Sequence, residues 1–421
     1  MSPASSARAC GIDFGTSNST VGCLRPGQST LLAMEDGKAT LPSVVFFNAE
    51  EEATRFGRAG LADYLAGYEG RLMRSLKSLL GSRLIDGKTE VQGRALPFRD
   101  LLGQFIGELK QRADRQAERE FEQVVLGRPV YFVDDDPAAD QAAEATLAEI
   151  AHAVGFKEVS FQYEPIAAAF HYETEIHHEE LVLVADIGGG TSDFSLIRLS
   201  PQRAKLTDRR DDLLANGGVH IGGTDFDRQL SLACVMPLLG YRSRLKTARE
   251  MPSSIFFNLA TWHTINFAYA RPVLAEQQRL ALDAAEPEKT ARLITLIEER
   301  AGHWLANEVE QAKIALSDQE STELQLDRLE AALRQPISRA EFDQAGAPLV
   351  DKVEATVAAL LRDAGVTAES IDTVFFTGGS SGIPRLRQRI AALLPQARAV
   401  EGDLFGSIGA GLAVEAARRY G

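Results

Sequence analysis

The sequence predicts an α/β protein of two similar halves, each with its own sheet. Three observations carry this expectation. A strand–Asp–Gly-turn–strand unit occurs at GIDFGTSNST (11–20) and again at DIGGGTSDFS (186–195). Val182–Ala185 is continuously apolar, as a strand buried on both faces reads. Between the strand candidates, apolar residues recur at three- and four-residue spacing, the period of helices that bury one face.

Taken in order, the first strand is expected at 8–14, ending in Asp13, with a hairpin partner at 19–24. VVFF (44–47) is another apolar strand, and 58–80 and 99–122 read as helices. A strand at 124–133 precedes an Ala-rich helix at 137–153, opened by Pro137, which suits a first helical position. VSFQYEP (159–165) is a strand, and Ile166–Tyr172 begins a helix. The segment 181–199 forms the strongest hairpin signal. Helices are expected at 223–239, 290–316, 338–364 and 384–394, a strand and turn at 374–379, and a terminal helix at 404–419. The hydrophilic stretch 173–180 is the expected junction of the halves, with His177 and His178 in a solvated turn rather than a metal site.

Bulk composition narrows the function classes. The 421 residues are 45% hydrophobic and 25% charged, with a formal charge of −14. Such an acidic balance argues against nonspecific nucleic-acid binding and against anionic membrane surfaces. Cys10, Cys23 and Cys234 have no CxxC spacing, so free thiols are expected rather than zinc ligands. MSPASSAR at the start contains no apolar signal core, and no apolar run approaches the ~18 residues that span a bilayer. A cytoplasmic setting is the expectation.

The chemistry sits in the two repeated turns. Gly15 allows a tight turn, after which Thr16, Ser17 and Asn18 offer hydroxyl, amide and N–H donors to an anion. Asp13 repels phosphate but suits a hydrated Mg²⁺, which keeps several waters. In the second unit Gly188, Gly189 and Gly190 stand in a row, a cost to the sheet of roughly 2–3 kcal/mol that implies close approach by something. Asp186 and Asp193 flank them, with Thr191 between. Two opposed turns of this kind can clasp one polyphosphate–metal group.

This pair resembles the two phosphate motifs of the actin, sugar-kinase and heat-shock protein 70 superfamily. Further segments resemble the heat-shock protein 70 branch: SLKSLLG (75–81), RPVYF (128–132), YEPIAAAFHY (163–172), HIGGTDFDRQL (220–230), VEQAKIALS (309–317) and VFFTGGSSGIPRLRQRI (374–390). Within that branch the details are similar to the YegD-like chaperone homologues. The resemblance implies an actin-like ATPase fold, with two lobes, each a ribonuclease H-like mixed sheet, and a nucleotide in the central cleft. The implied lobes are 1–178, with an inserted subdomain at about 41–123, and 179–403, with one at about 229–328; 404–421 would pack back on the first.

By the same resemblance the cofactors are ATP/ADP and Mg²⁺. Asp13 and Asp186 would hold Mg²⁺ through water, Lys77 would offset charge on the γ-phosphoryl group, and Glu164 and Asp193 would orient the attacking water. Thr16, Ser17 and Asn18 would take one side of the phosphates, Gly188, Gly189, Gly190 and Thr191 the other, with Gly222 and Gly223 nearby. Glu310 and Lys313 fall on ribose-contacting positions; Ser317, Gly379 and Ser380 fall on the adenine side. Two family arginines beside adenine are replaced, by Ile314 and Gly382.

Other departures bear on partners. The family's peptide-gripping β-sandwich is not expected here, so the protein partner is unknown, although Pro129 and Tyr131 of the relay segment remain. The acidic run 134–136 reads as a solvated turn, and Trp262, His263 and Phe267 as a helix face packed into the core. The expected function is a Mg-ATP-dependent, heat-shock-protein-70-like ATPase whose lobe closure acts on a protein partner. Alternatives are a nucleotide-gated scaffold with little hydrolysis and a small-molecule kinase of the same superfamily.

Overall fold

Two five-stranded sheets share one strand order. In the first, Ala9–Phe14 lies beside Asn18–Gly22 and then Thr40–Pro42, with Gln123–Arg128 and Glu158–Tyr163 on its other side. In the second, Glu180–Ile187 lies beside Ser192–Leu199 and then Leu213–Val219, with Thr373–Thr377 and Arg398–Glu401 on its other side. Numbered along the chain, the strands of each sheet run third, second, first, fourth, fifth. Each sheet is mixed: the first strand is antiparallel to its hairpin partner and parallel to the fourth. A parallel neighbour requires a long crossover, and Phe98–Ala117 and Pro137–Ala153 lie in those of the first sheet.

This computed structural model describes residues 8–25, 30–133, 136–206, 208–404 and 406–421. The expectations placed on residues 1–7 and on Asp134 and Asp135 lie outside them. Asp136 caps the next helix, its carboxylate accepting from Ala139 N at 3.0 Å. Contacts divide the chain into two compact units: one of residues 1–218, 357–381 and 391–421, the other of 219–356 and 382–390. The first unit carries both five-stranded sheets, Val219 excepted.

In the first unit, strand Ala9–Phe14 is buried along its whole length. Phe14, Phe105, Phe121 and Leu126 join one apolar core beside it. Helix Ser407–Tyr420 packs on this strand so closely that a Cβ at Gly11 would overlap the backbone of Leu412. Glycine at position 11 therefore lets a helix brace the strand that carries Asp13. In the second unit, Phe226 meets Phe342 edge-on at 6.2 Å, and Ser321–Gln325 pairs antiparallel with Arg334–Ser338.

Several expected elements differ. The 58–80 helix is instead helix Gly57–Ala66, strand Gly70–Arg74 and a short 3₁₀ turn, Leu76–Leu79. Gly67, at φ 94°, ends the helix in the left-handed region, where glycine is favoured. The 124–133 strand stops at Arg128, before Pro129, which has no N–H for a ladder. Helix Gly223–Leu230 passes into a π turn and a 3₁₀ turn that contains Pro237. The 290–316 helix is two, Pro287–Glu298 and Gly302–Asp318, parted where Arg300 takes φ 52°. Trp262–Tyr269 is 3₁₀, so its side chains do not form one α-helical face. Ile265 and Ala268 are its buried residues, and Phe267 is 63% exposed.

Candidate active site

Both glycine turns lie in the first unit, at the ends of the two central hairpins. Asp13 pairs in register with Thr20, and Asp186 with Asp193. The second pairing sets two carboxylates directly opposite on one sheet face, an arrangement that is unfavourable unless something offsets the charge. Thr191 Oγ1 donates to Asp193 Oδ2 at 2.7 Å and fixes that carboxylate. Gly188 N donates to Thr191 O at 2.9 Å and closes the second turn.

The two turns touch. A Cβ on Gly189 would overlap Ser17 Oγ, so the absence of a side chain at 189 is what lets Ser17 approach. Each turn is also held from outside its hairpin. Ser43 N donates to Ser17 O at 2.9 Å, and Ser43 Oγ donates to Gly15 O at 2.6 Å. Ser380 Oγ donates to Gly188 O at 2.8 Å. Ser380, expected on the adenine side, thus engages the second glycine turn. Ser43 escaped the sequence reading, because a serine after Pro42 in a short strand carries no local signal.

Lys77 and Glu164 form a largely buried pair, Nζ to Oε1 at 2.5 Å. Glu164 opens the short helix Glu164–Ala168 and lies against Gly127. Lys77 lies on the 3₁₀ turn that follows Ser75, itself at φ 56°. Lys77 therefore turns inward, while Arg71, on the preceding strand, is exposed.

Electrostatics join these residues into one cluster. Burial pushes the Asp13 carboxyl up to about 7, with the Glu164 charge adding and Lys77 opposing. Burial likewise pushes Asp186 up to about 8, with Asp193, Glu164 and Asp13 adding to it and Lys77 opposing. Burial pulls the Lys77 ammonium down, but Glu164, Asp13 and Asp186 outweigh it and hold it above the ordinary lysine value. Asp13 and Asp186 thus feel one another and share one cation. Among the described residues no three His, Cys, Asp or Glu side chains are grouped to ligate a metal directly. Two carboxylates held near neutrality by repulsion and dryness suit a divalent cation that keeps its water shell.

Thr16, Asn18 and Gly190 lie in the turns, each partly buried, and Gly379 opens the 3₁₀ turn that carries Ser380. The remaining expected residues belong to the second unit. Lys313 Nζ donates to Asp227 Oδ2 at 2.9 Å and to Gly223 O at 3.3 Å, so helix Gly302–Asp318 is tied to helix Gly223–Leu230. Asp227, two residues beyond Asp225 in the same motif, was not singled out from the sequence. Gly222 N donates to Asp225 Oδ2 at 3.0 Å. Glu310 and Ser317 are partly buried on the Lys313 helix, and Ile314 is 51% exposed.

Comparison with known proteins identifies the family. The Hsp70 protein family model matches residues 9–237 and 284–417. The stretch between the matches contains the 3₁₀ segment Trp262–Tyr269. The Chaperone protein HscA homolog of Shewanella putrefaciens is 26% identical over 426 residues, spanning 96% of this chain and 57% of the relative. The Methylobacillus flagellatus homolog is 27% identical over 425 residues, spanning 97% of this chain and 57% of its own. Chaperone protein HscA of Serratia proteamaculans is 27% identical over 423 residues, with 96% and 57% covered. The chain spans a little over half the length of these relatives, which support the Hsp70 family as a whole rather than the YegD-like branch in particular. With its two mixed sheets and paired glycine turns, the chain has the actin-like ATPase fold and belongs to the Hsp70 protein family.

Proposed function

We propose that the chain binds Mg-ATP against the two glycine turns and hydrolyses it. The observation that carries this reading is the largely buried Lys77–Glu164 pair set against Asp13 and Asp186, with exposed Asp193 opposite Asp186. A dry site with excess carboxylate and one lysine is short of positive charge. Mg²⁺, when bound, would neutralise charge on the phosphoryl oxygens. Asp13 and Asp186 would hold it through its waters, which requires both to lose their protons.

The chain's own groups supply the rest. Turn residues Thr16, Ser17 and Asn18 bind the phosphates from one side, and Gly188, Gly189, Gly190 and Thr191 from the other. Lys77, anchored by Glu164, presents a fixed ammonium to the γ-phosphoryl oxygens. Asp193, oriented by Thr191, and Glu164 position the attacking water and accept its proton. Glu310, Lys313 and Ser317 would serve the nucleoside, with Gly222, Gly223 and Gly379 as further contacts, while the Ser380 hydroxyl, bonded to Gly188 O, would steady the second turn. The lobe limits 1–178 and 179–403, lobe closure on an unidentified protein partner, a chaperone-like role and a cytoplasmic setting belong to the same proposal. The likeness to HscA chaperones supports that role.

A second reading, a nucleotide-gated scaffold with little turnover, draws support from Ile314. It is half exposed where the family has a stacking arginine, which weakens the grip on the base. A Mg²⁺-dependent phosphate-release assay on the full chain separates the two. The ATPase reading expects release without added acceptor, falling about 100-fold or more in Lys77→Ala and Asp193→Asn. ATP binding without release supports the scaffold. Release only with an added acceptor sugar supports a kinase, and no ATP binding sinks all three.

A further inference from the structure

The first glycine of each turn has its carbonyl tied down by a buried serine from outside the hairpin. Gly15 O accepts from Ser43 Oγ at 2.6 Å, and Gly188 O accepts from Ser380 Oγ at 2.8 Å. Gly15 and Gly188 occupy the same place in the repeated unit, two residues after Asp13 and Asp186. Ser43 is 1% exposed and Ser380 is 7% exposed. Ser43 has a single hydroxyl proton, which Gly15 O takes. Its 3.0 Å contact with Ser19 Oγ is therefore a bond donated by Ser19. A relay from Ser19 through Ser43 to Gly15 O results, and Ser43 N anchors the far end of the same turn at Ser17 O.

The direction of these bonds matters for an anion. In a trans peptide the C=O and the following N–H point opposite ways. Holding Gly15 O toward Ser43 aims Thr16 N–H away from Ser43; holding Gly188 O toward Ser380 aims Gly189 N–H away from Ser380. Peptides beside glycine meet few steric barriers to flipping, and a flip would turn a carbonyl dipole where the N–H had been. We infer that Ser43 and Ser380 are paired positioning residues, each locking one turn so that its N–H groups face a polyphosphate. This rests on the Mg-ATP reading above and names the residues that pre-organise its phosphate grip.

The test compares affinity for Mg-ATP with affinity for adenosine, which has no phosphates, in the full chain. Ser43→Ala and Ser380→Ala are each expected to weaken Mg-ATP about ten-fold, the worth of one hydrogen bond of this class. Adenosine affinity should stay within about two-fold, since adenosine makes no use of the turns. Ser43→Thr and Ser380→Thr retain the hydroxyl and should recover most of the ATP affinity. Equal losses for both ligands would assign the serines a merely structural role and overturn the inference. Unchanged ATP affinity in both alanine variants overturns it as well, while leaving the Mg-ATP reading intact. A wild-type chain that binds no Mg-ATP sinks that reading and the inference together. Should Ser43→Ala fail to fold, Ser380→Ala, at the less buried position, decides by the same two affinities for its own turn.

Discussion

Ser17 Oγ occupies the space that a side chain on Gly189 would need. Two turns that begin at residues 15 and 188, on different sheets, are therefore packed against each other. Gly189→Ala should force them apart. The expected result is a lower melting temperature and at least ten-fold weaker Mg-ATP binding, about 1.4 kcal/mol. Removing the obstructing oxygen by Ser17→Ala should relieve part of that loss. A double-mutant cycle checks this: Gly189→Ala must cost less in the Ser17→Ala background, and strict additivity would mean the turns do not meet.

Lys77→Ala leaves Glu164 in a dry site among Asp13 and Asp186 without its cation. Breaking a buried pair from one side costs about 3–5 kcal/mol. The discount for solvent is small here, because the two side chains are 14% and 10% exposed. A lower melting temperature for Lys77→Ala, partly restored by Glu164→Gln in the same chain, is the expected pattern. Phosphate release should stay lost in both.

Much of this site was legible because its two halves repeat. Asp13 with Gly15, and Asp186 with Gly188, mark equivalent hairpins, and the apolar run before Asp186 could only be a buried strand. Lys77 was not legible from its surroundings, since the spacing in 58–80 mimics a helix until Gly67 and Gly70 interrupt it; only the resemblance singled it out. Leu213–Val219 and Arg398–Glu401 are edge strands with mixed exposure, and LLANGGV has two glycines where strand formers are expected. Ser43 acts through one hydroxyl and one N–H delivered by tertiary packing, a signal that no local pattern holds. His263 and Phe267 misled because an aromatic-rich stretch suggests a core helix, whereas the 3₁₀ segment leaves both exposed while Trp262 packs inward on buried His303.

Asp13 and Asp186 predict how ligand-free stability depends on pH. Their carboxyls are raised from 3.8 to about 7 and about 8. Between those limits the folded chain keeps protons that the unfolded chain has lost, so stability falls as pH rises. The contribution is full below about pH 4 and is lost as pH climbs through the folded values. Thermal melts without nucleotide should show the melting temperature dropping from about pH 5 to about pH 8, with a flatter profile in Asp13→Asn and Asp186→Asn. Saturating Mg²⁺ and ATP should oppose the drop, since the cation replaces the protons. A wild-type profile that rises over the same window contradicts the assignment.

Arg209 lies fully buried between Glu173 and Asp212, donating to Glu173 at 2.7 and 2.8 Å and also to Asp212. Arg209→Met strands Glu173 in the core, while Asp212 keeps its bond from Arg203, and should destabilise by about 3–5 kcal/mol. Replacing all three by apolar residues of similar volume should recover most of that, because the desolvation cost of the ions goes with them. Chemical denaturation of the single and triple variants checks the order. A single variant as stable as wild type would show that the network is not closed in solution.

On the Mg-ATP reading, Ile314 bears on which base is accepted. It sits on the exposed side of helix Gly302–Asp318, one residue after Lys313, whose ammonium is tied to Asp227. An isoleucine offers a base a packing surface but no cation over its face, and Gly382 offers no side chain at all. The expected outcome is ATP and GTP affinities within about ten-fold of each other, because the missing stacking is worth about 0.5–2 kcal/mol. Ile314→Arg should tighten ATP by a few-fold at little cost in stability, since the position is already half in solvent. Titrating both nucleotides into wild type and Ile314→Arg decides it: tight, adenine-only binding by the wild type would mean that other residues read the base.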